Sequence, residues 1–455
     1  MAVVESLMFN DSRGEKRKIT FVASESRTTK VSFEATLITG QNGSHKSTLL
    51  RELVAALTLS DSNSFVTLRN AQKGPHHVLC ISGSVADRFP VKELPAGVRS
   101  RFDVPAYAYI GQRAGPNILS KKAPLETMLR FALDPAKENR FAANFFYRAH
   151  KLVGILPAVE FVFQRRQSKL EGSRDLIGRI QAKTPLTDTQ RRPPGAPKGD
   201  SNAPHISYET AQWLLNEFSY DEFLSLETLI NKSGRRLKAT LTSEGVMCDD
   251  YLPNVLRLGL LTGLIGLIDA NVQAAQDKEP FSIFELSSGE YHMYSSILGL
   301  GFGITESSVV LIDEPENSLH PQWQREFMEA VFAICGEILG NGHLIVCTHS
   351  PLIVGTATDG SSVVDLTTTE PQLSNVRFGA SSDELLLSQF GIGSSRNRIV
   401  IDTVQRAVSL VERGDFNNSQ FIKLIPELEK IRQSLSFRDP LIDVIDALID
   451  GGPGE

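Results

Sequence analysis

The chain reads as an α/β protein built around a buried parallel sheet. Three segments carry that reading. Ala35-Thr36-Leu37-Ile38-Thr39 is a short apolar, β-branched run that leads through a Gly-rich turn into a helical pattern from Thr48 to Leu57. Val309-Val310-Leu311-Ile312 is a second apolar run, closed by Asp313 and Glu314. Leu344-Ile345-Val346-Cys347 is a third, closed by Thr348-His349-Ser350. Strands covered on both faces show continuous apolar runs, and open α/β sheets bind ligands at the carboxyl ends of such strands.

The turn after the first run is Gly40-Gln41-Asn42-Gly43-Ser44-His45-Lys46-Ser47-Thr48. Strand, Gly-rich turn and helix together make a phosphate cradle. Backbone N–H groups from Asn42 through Gly43, Ser44 and His45 to Thr48 can face an anion at the helix N-terminus. Lys46 can reach the β- and γ-phosphates of ATP, and Ser47 offers a hydroxyl to Mg²⁺. One residue departs from the pattern. His45 stands where G-x-x-x-x-G-K-[ST] has its second glycine, and a Cβ there crowds the approach to the phosphates. Binding is therefore expected to survive through Lys46, Ser47 and the helix terminus, while hydrolysis is expected to be slow or absent.

The second run ends in two carboxylates. Asp313 suits a Mg²⁺ contact, direct or through water, and Glu314 suits the orientation or deprotonation of an attacking water. Asp-Glu-Pro also opens helices, and the two roles are compatible. His349, just past the third run, is placed to contact a γ-phosphate. Leu286-Ser287-Ser288-Gly289-Glu290 precedes a helical pattern starting near Tyr291, and its small residues at a helix N-terminus again suit an anion.

Taken in order, these segments resemble those of ATP-binding-cassette (ABC) ATPases. Glu314-Pro315-Glu316-Asn317-Ser318-Leu319-His320-Pro321 is similar to the E-P-E-x-x-L-H-P pattern of the group related to RecF and the overcoming-lysogenization-defect (OLD) ATPases, and Gly40-Gln41-Asn42-Gly43 to its G-x-N-G start. Within the group the chain most resembles the PtuA family, ATPases of Septu-type antiphage systems that work with an HNH nuclease, PtuB. The resemblance covers the two ends of residues 1–375. It implies that Ser287, Ser288 and Gly289 face the γ-phosphate held by a second subunit, so that a head-to-head dimer sandwiches two ATP molecules. It also implies that Gln112, after the strand-like Ala106-Tyr107-Ala108-Tyr109-Ile110, touches Mg²⁺ and water.

The 455 residues exceed one compact core. Residues 1–120 read as the N-terminal part of an ATPase head. Residues 121–280 read as a helical insertion, a compact lobe without the long heptads of a coiled-coil arm, interrupted by a mobile loop at 183–205 rich in proline and glycine. Residues 281–375 return to strand–helix alternation, and 376–455 read as a helical tail. The apolar stretch from Leu258 to Ile268 is too short to cross a bilayer and reads as a core helix. Asp443, Asp446 and Asp450 alternate with apolar residues as in an amphipathic helix with acids toward solvent.

Net charge −6 gives no global attraction to DNA or acidic membranes. The four cysteines show no metal spacing or disulfide framework, and no signal peptide is evident, so a cytoplasmic protein without membrane contact is expected. No Toprim-like carboxylates follow residue 376 and no His-Asn-His cluster is present. Any DNA cutting is thus expected from a separate PtuB-like HNH nuclease, with DNA met through the complex. The leading expectation is an ATP-binding subunit that assembles with and controls such a nuclease in antiviral defence. The alternative is a RecF-like repair ATPase that binds DNA itself. A transporter ATPase is disfavoured by the large insertion and the Glu-Pro-Glu segment.

Overall fold

The computed structural model describes residues 2–11, 13–22, 33–41, 43–69, 77–94, 98–115, 117–166, 175–183, 206–232, 236–249, 251–276, 279–358, 360–367, 371–375, 398–412, 419–435 and 441–450. Strands β1 (Val4–Asn10) and β2 (Lys16–Thr20) open the chain, and β3 (Glu34–Thr39) leads through the Gly-rich turn into α1 (Lys46–Thr58). Next come β4 (Phe65–Leu68), β5 (His77–Ser82), β6 (Glu93–Leu94), β7 (Val98–Arg99), β8 (Tyr107–Ile110), β9 (Arg113–Gly115) and β10 (Ile118–Leu119). Helix α2 (Ala123–Ala132), a 3₁₀ segment (Pro135–Ala142) and α3 (Asn144–Leu152) precede β11 (Ala158–Arg165), α4 (Leu176–Gln181), α5 (Tyr208–Glu217) and α6 (Tyr220–Asn231). Strands β12 (Leu237–Thr242) and β13 (Gly245–Cys248), helix α7 (Pro253–Leu261), and strands β14 (Ile265–Gln273) and β15 (Pro280–Ser282) follow. The chain returns through α8 (Ser288–Gly303), β16 (Ser308–Asp313), α9 (Pro321–Ile338), β17 (His343–Cys347), α10 (Pro351–Val354), β18 (Ser362–Asp365) and β19 (Gln372–Asn375). The tail holds α11 (Arg398–Glu412), α12 (Ser419–Ser434) and α13 (Leu441–Asp450).

The central sheet runs β19-β18-β3-β17-β16-β5-β8, parallel throughout except for the edge strand β19. Its middle strands are buried at nearly every position, which is why they read as unbroken apolar runs. The two faces of β16 separate by the period of two. Val310 and Ile312 join the core under α2, α3, α8 and α9, while Val309 and Leu311 pack with α1, β1 and β2 on the other side. One of the buried polar residues inside this sheet is His343. Its Nδ1 accepts the Val4 N–H at 3.1 Å and its Nε2 lies 2.9 Å from the Thr36 hydroxyl. Burial depresses its pKa to about 3, so the ring is neutral and links β1, β3 and β17.

The segment 121–280, expected to be helical, also carries an antiparallel sheet in the order β13-β12-β11-β14-β15. In β11, Val159, Phe161 and Phe163 point into the core between more exposed neighbours. The apolar stretch Leu258–Ile268 is not one helix. α7 ends at Leu261, Gly263 takes a left-handed φ of 71°, and β14 begins at Ile265. Thr262-Gly263 is the local signal for that break. Residues 184–205, most of the expected mobile loop, lie outside the described residues, as does 376–397. In the tail, the described residues form helices with a core of their own around Val400, Phe421, Ile431 and Ile445. Asp446 pairs with Arg432. Among the described residues no helix is long and apolar enough to cross a membrane.

Candidate nucleotide site

Parallel strands place their carboxyl ends along one edge, and the polar residues picked out in the sequence gather there. Asp313 stands in register with Cys347 and Ser82, and Cys347 with Ile38. Hydrogen bonds beyond the strand ends tie the loops together. Thr348 N–H donates to Ile38 O at 3.0 Å, Glu314 N–H to Cys347 O at 2.9 Å, and Gly83 N–H to Asp313 O at 3.1 Å.

The cradle is wrapped around Lys46. Its ammonium donates to Gly40 O at 2.9 Å and Gln41 O at 3.3 Å, and lies 3.4 Å from Ser44 Oγ. Gly43 supplies a φ of 85° that the turn requires. His45 answers the question raised by its position. It adopts the left-handed conformation, φ 68° and ψ 21°, that the absent glycine would take without strain, and it makes no side-chain cap to α1. The cradle shape is therefore kept, at a backbone cost of roughly 1–2 kcal/mol. Asn42 lies outside the described residues. Thr48, buried in the first turn of α1, accepts a hydrogen bond from Arg88 at 3.1 Å. Arg88 thus brings a second cation beside the cradle, and nothing in its sequence context marks it.

Across from Lys46 stand three carboxylates. Asp313 is buried, its Oδ1 has no hydrogen-bond partner, and burial raises its pKa to about 7 against the opposing Ser47 hydroxyl. Burial is the main cause lowering the Lys46 pKa, and Glu314, Asp313 and Glu316 oppose it. Glu314 takes a φ of 49°, accepts from Asn317 Nδ2 at 2.7 Å, and lies 3.9 Å from His349 Nε2. His349 is half-buried, and burial, with Lys46 adding to it, lowers its pKa. A buried carboxylate with one unpartnered oxygen beside a serine hydroxyl is an oxygen donor set that suits Mg²⁺.

Glu316, part of the Glu-Pro-Glu motif but not among the expected site residues, ties two of the loops together. Its Oε1 accepts from the Thr348 hydroxyl at 3.0 Å and from the His349 N–H, while its Oε2 is buried without a partner. Burial raises its pKa. Gln112 follows β8 on the same edge, two strand positions from Asp313, and its carbonyl accepts from Ser120 N–H at 2.7 Å. The lateral offset is about 10 Å at ordinary strand spacing. Ser287 and Ser288 are exposed at the start of α8, where Ser287 and Glu290 form a capping box, and Gly289 is buried. A Cβ on Gly289 would lie 2.4 Å from Ser318 O, so glycine there is a packing requirement that ties the α8 start to the Glu-Pro-Glu turn.

Residues 130–355 match the protein family described as "AAA domain, putative AbiEii toxin, Type IV TA system". The chain carries an AAA-type P-loop ATPase domain. The matched span of this ATPase domain includes Ser287–Gly289, Asp313, Glu314, Glu316 and His349 and begins after the cradle. No curated protein matches the chain. Among solved structures, it is similar to an inward-facing ABC transporter assigned to the metal-chelate type, at 12% identity over 86% of this chain and 88% of that one, TM-score 0.29. It is similar to UvrA2 from Deinococcus radiodurans at 14% identity over 80% of this chain and 35% of that one, TM-score 0.30. It is also similar to the Smc head domain from Pyrococcus furiosus, crystallised with the C-terminal domain of ScpA, at 10% identity over 83% of this chain and 96% of that one, TM-score 0.30.

Proposed function

We propose that this ATPase binds Mg²⁺–ATP at the cradle and works as the nucleotide-controlled subunit of an antiviral complex, assembled with a separate HNH nuclease that cuts invading DNA. The observation that carries the nucleotide part is the hydrogen bond between Ser47 and the buried Asp313, whose Oδ1 is left without a partner, beside Lys46. Bound Mg²⁺ would supply charge neutralisation to the phosphates. Lys46 and Arg88 bring positive charge to the cradle, Glu314 orients water, and His349 faces the terminal phosphate from the neighbouring loop. The exposed Ser287 and Ser288 leave the start of α8 open to ATP on a second copy of the chain. Gln112 joins the metal site only if its loop moves inward across the edge of the sheet. The nuclease partner rests on the sequence resemblance, the cytoplasmic setting on the cysteine pattern, and the division into head, insertion and tail on the strand and helix patterns along the chain, and the toxin named in the matching family's description is compatible with a role in conflict with invaders.

The test combines nucleotide binding, sedimentation and nuclease assays. Lys46→Ala is expected to lose most ATP affinity, and Glu314→Gln to keep binding while favouring an ATP-loaded dimer. The purified chain with Mg²⁺ or Mn²⁺ is expected to leave plasmid DNA intact until the HNH protein is added. Wild-type ATP affinity in Lys46→Ala would misplace the site. DNA binding by the chain alone, with no association with the nuclease, would favour the RecF-like reading.

A further inference from the structure

Between the β8 edge of the parallel sheet and helices α2, α5 and α7 lies a deep cavity of about 790 Å³. None of Lys46, Asp313, Glu314 or His349 lines it. Its walls carry seven lysine and arginine side chains against four carboxylates, and one of the seven, Arg113, is held from behind by Asp87 at 2.9 Å. The carboxylates are committed. Glu126 holds Arg166 at 2.6 Å, while Asp134 and Glu217 hold Arg257 at 3.1 and 3.0 Å. Asp103 is shared between Lys92 at 3.9 Å and Arg99 at 3.8 Å, and its carboxylate also accepts the Ser207 N–H at 2.8 Å.

Arg130 and Lys137 have no carboxylate within 4.0 Å among the described residues. Lys137 donates to the Phe302 carbonyl at 2.6 Å and sits over the Phe131 ring. The Nε atoms of Arg99 and Arg130 and the Nδ1 of His77 are buried with no hydrogen-bond partner. Arg130 nonetheless keeps a half-buried surface, because what it exposes faces the cavity. Trp213 and Phe131 supply apolar wall. Unpaired cations gathered in a concave space are costly in an empty protein and favourable around an anion.

We propose that this cavity is a second anion site, separate from the cradle, for a small phosphorylated ligand bearing at least two negative charges. Arg99 and Arg130 supply fork-shaped donors for phosphate oxygens, Lys92 and Lys137 supply point charges, and the volume suits a small-molecule ligand. The strain without an anion is visible in the lysines. Burial, opposed by Asp103 and reinforced by Arg130 and Arg99, brings the Lys92 pKa down to about 8, and burial with Arg140 brings Lys137 to about 7. Arg130 stands on α2, which packs along α8, the helix that opens with Ser288. A ligand here would therefore bear on the element that the proposed dimer uses. The binding claim itself stands apart from the nucleotide reading.

The experiment titrates inorganic pyrophosphate by calorimetry into the full chain carrying Lys46→Ala, which removes the cradle lysine. The expected result is one bound pyrophosphate per chain, with affinity falling about tenfold or more when Arg130→Gln or Lys92→Gln is added. Melting in anion-free buffer accompanies each titration. Arg130→Gln is expected to leave the melting temperature unchanged or higher, because it removes a cation with no carboxylate within 4.0 Å among the described residues, whereas Lys92→Gln and Arg99→Gln each give up a long pair with Asp103. Should Arg130→Gln not fold, Lys92→Gln and Arg99→Gln decide the matter. No binding to the Lys46→Ala chain would overturn the proposal. So would equal binding by these variants, or a lowered anion-free melting temperature in Arg130→Gln.

Discussion

Glu316 holds the backbone of His349: one carboxylate oxygen accepts both the His349 N–H and the Thr348 hydroxyl. The turn after β16 is thereby fastened to the loop after β17. Glu314, two residues earlier, sits 3.9 Å from the His349 ring. The distance between the two expected catalytic side chains is thus set by a third residue that has neither catalytic role.

Glu316→Ala is expected to release the His349 loop. Losing a charged acceptor of two hydrogen bonds costs about 1–3 kcal/mol of stability. ATP turnover should fall about tenfold or more, with ATP affinity changed far less. Glu316→Gln keeps a carbonyl acceptor and should retain most of both. Equal turnover in wild type and Glu316→Ala would show that the loop is held by other contacts.

His45→Gly removes a side chain from a left-handed residue at the mouth of the cradle. Up to ~1 kcal/mol of stabilisation is expected, part of the strain relief being offset by glycine's larger unfolded-state entropy. The ATPase rate should rise, since the backbone can approach the phosphates without a Cβ. Rate and melting temperature of the two proteins measured side by side decide this. A fast wild-type enzyme that His45→Gly does not accelerate would mean that the imidazole leaves the phosphates room.

Asp313 makes stability depend on pH. Its carboxyl has a pKa of about 7 in the fold against a reference of 3.8, so the folded state holds its proton more tightly. The resulting stabilisation is full below pH 3.8 and is lost as pH rises toward 7, after which it stays flat. Asp313→Asn should erase that dependence. Without divalent metal it should be more stable than wild type at pH 8, by about 2–4 kcal/mol, and nearly equal at pH 4. Mg²⁺ at pH 8 should raise the melting temperature of wild type only. Parallel pH curves for the two proteins would contradict the burial argument.

Gly289→Ala and Ser288→Ala separate packing from recognition. The first places a methyl 2.4 Å from Ser318 O and should cost about 1–3 kcal/mol. The second trims an exposed hydroxyl and should leave melting unchanged while weakening ATP-dependent dimerisation in Glu314→Gln. Full dimerisation of the Ser288→Ala, Glu314→Gln protein would remove that hydroxyl from the interface.

The parallel sheet was legible because its strands are buried on both faces. Ala35–Thr39 became β3, the run before Asp313 became β16, and Leu344–Cys347 became β17, each within a residue or two of its observed bounds. Phosphate chemistry needs fixed residue types at short spacing, which is why Lys46, Ser47 and Asp313 stood out as candidates, and the fold brings them to one edge of the sheet. The insertion was harder. β11 pairs with β12 across more than seventy residues and with β14 across about a hundred, and such pairing leaves no local trace. An apolar run such as Leu258–Ile268 fits a helix and a strand equally well, and here one short Thr-Gly turn divides it into both. Arg88 and the cavity cations come together only through tertiary packing, which no spacing rule reports.

The placement of β17 has a consequence for biosynthesis. It lies between β3 and β16, so β3 gains its inner neighbour only from residues 343–347, some three hundred positions downstream. His343 also receives the Val4 N–H and meets the Thr36 hydroxyl, so the first strands wait for the same segment. On the ribosome, the cradle sequence emerges early and stays without its sheet until β17 has been made. A chain stopped before residue 343 would carry the lysine and serine of the cradle, yet lack the strand that sets their geometry. Nucleotide affinity would then report that synthesis has passed β17.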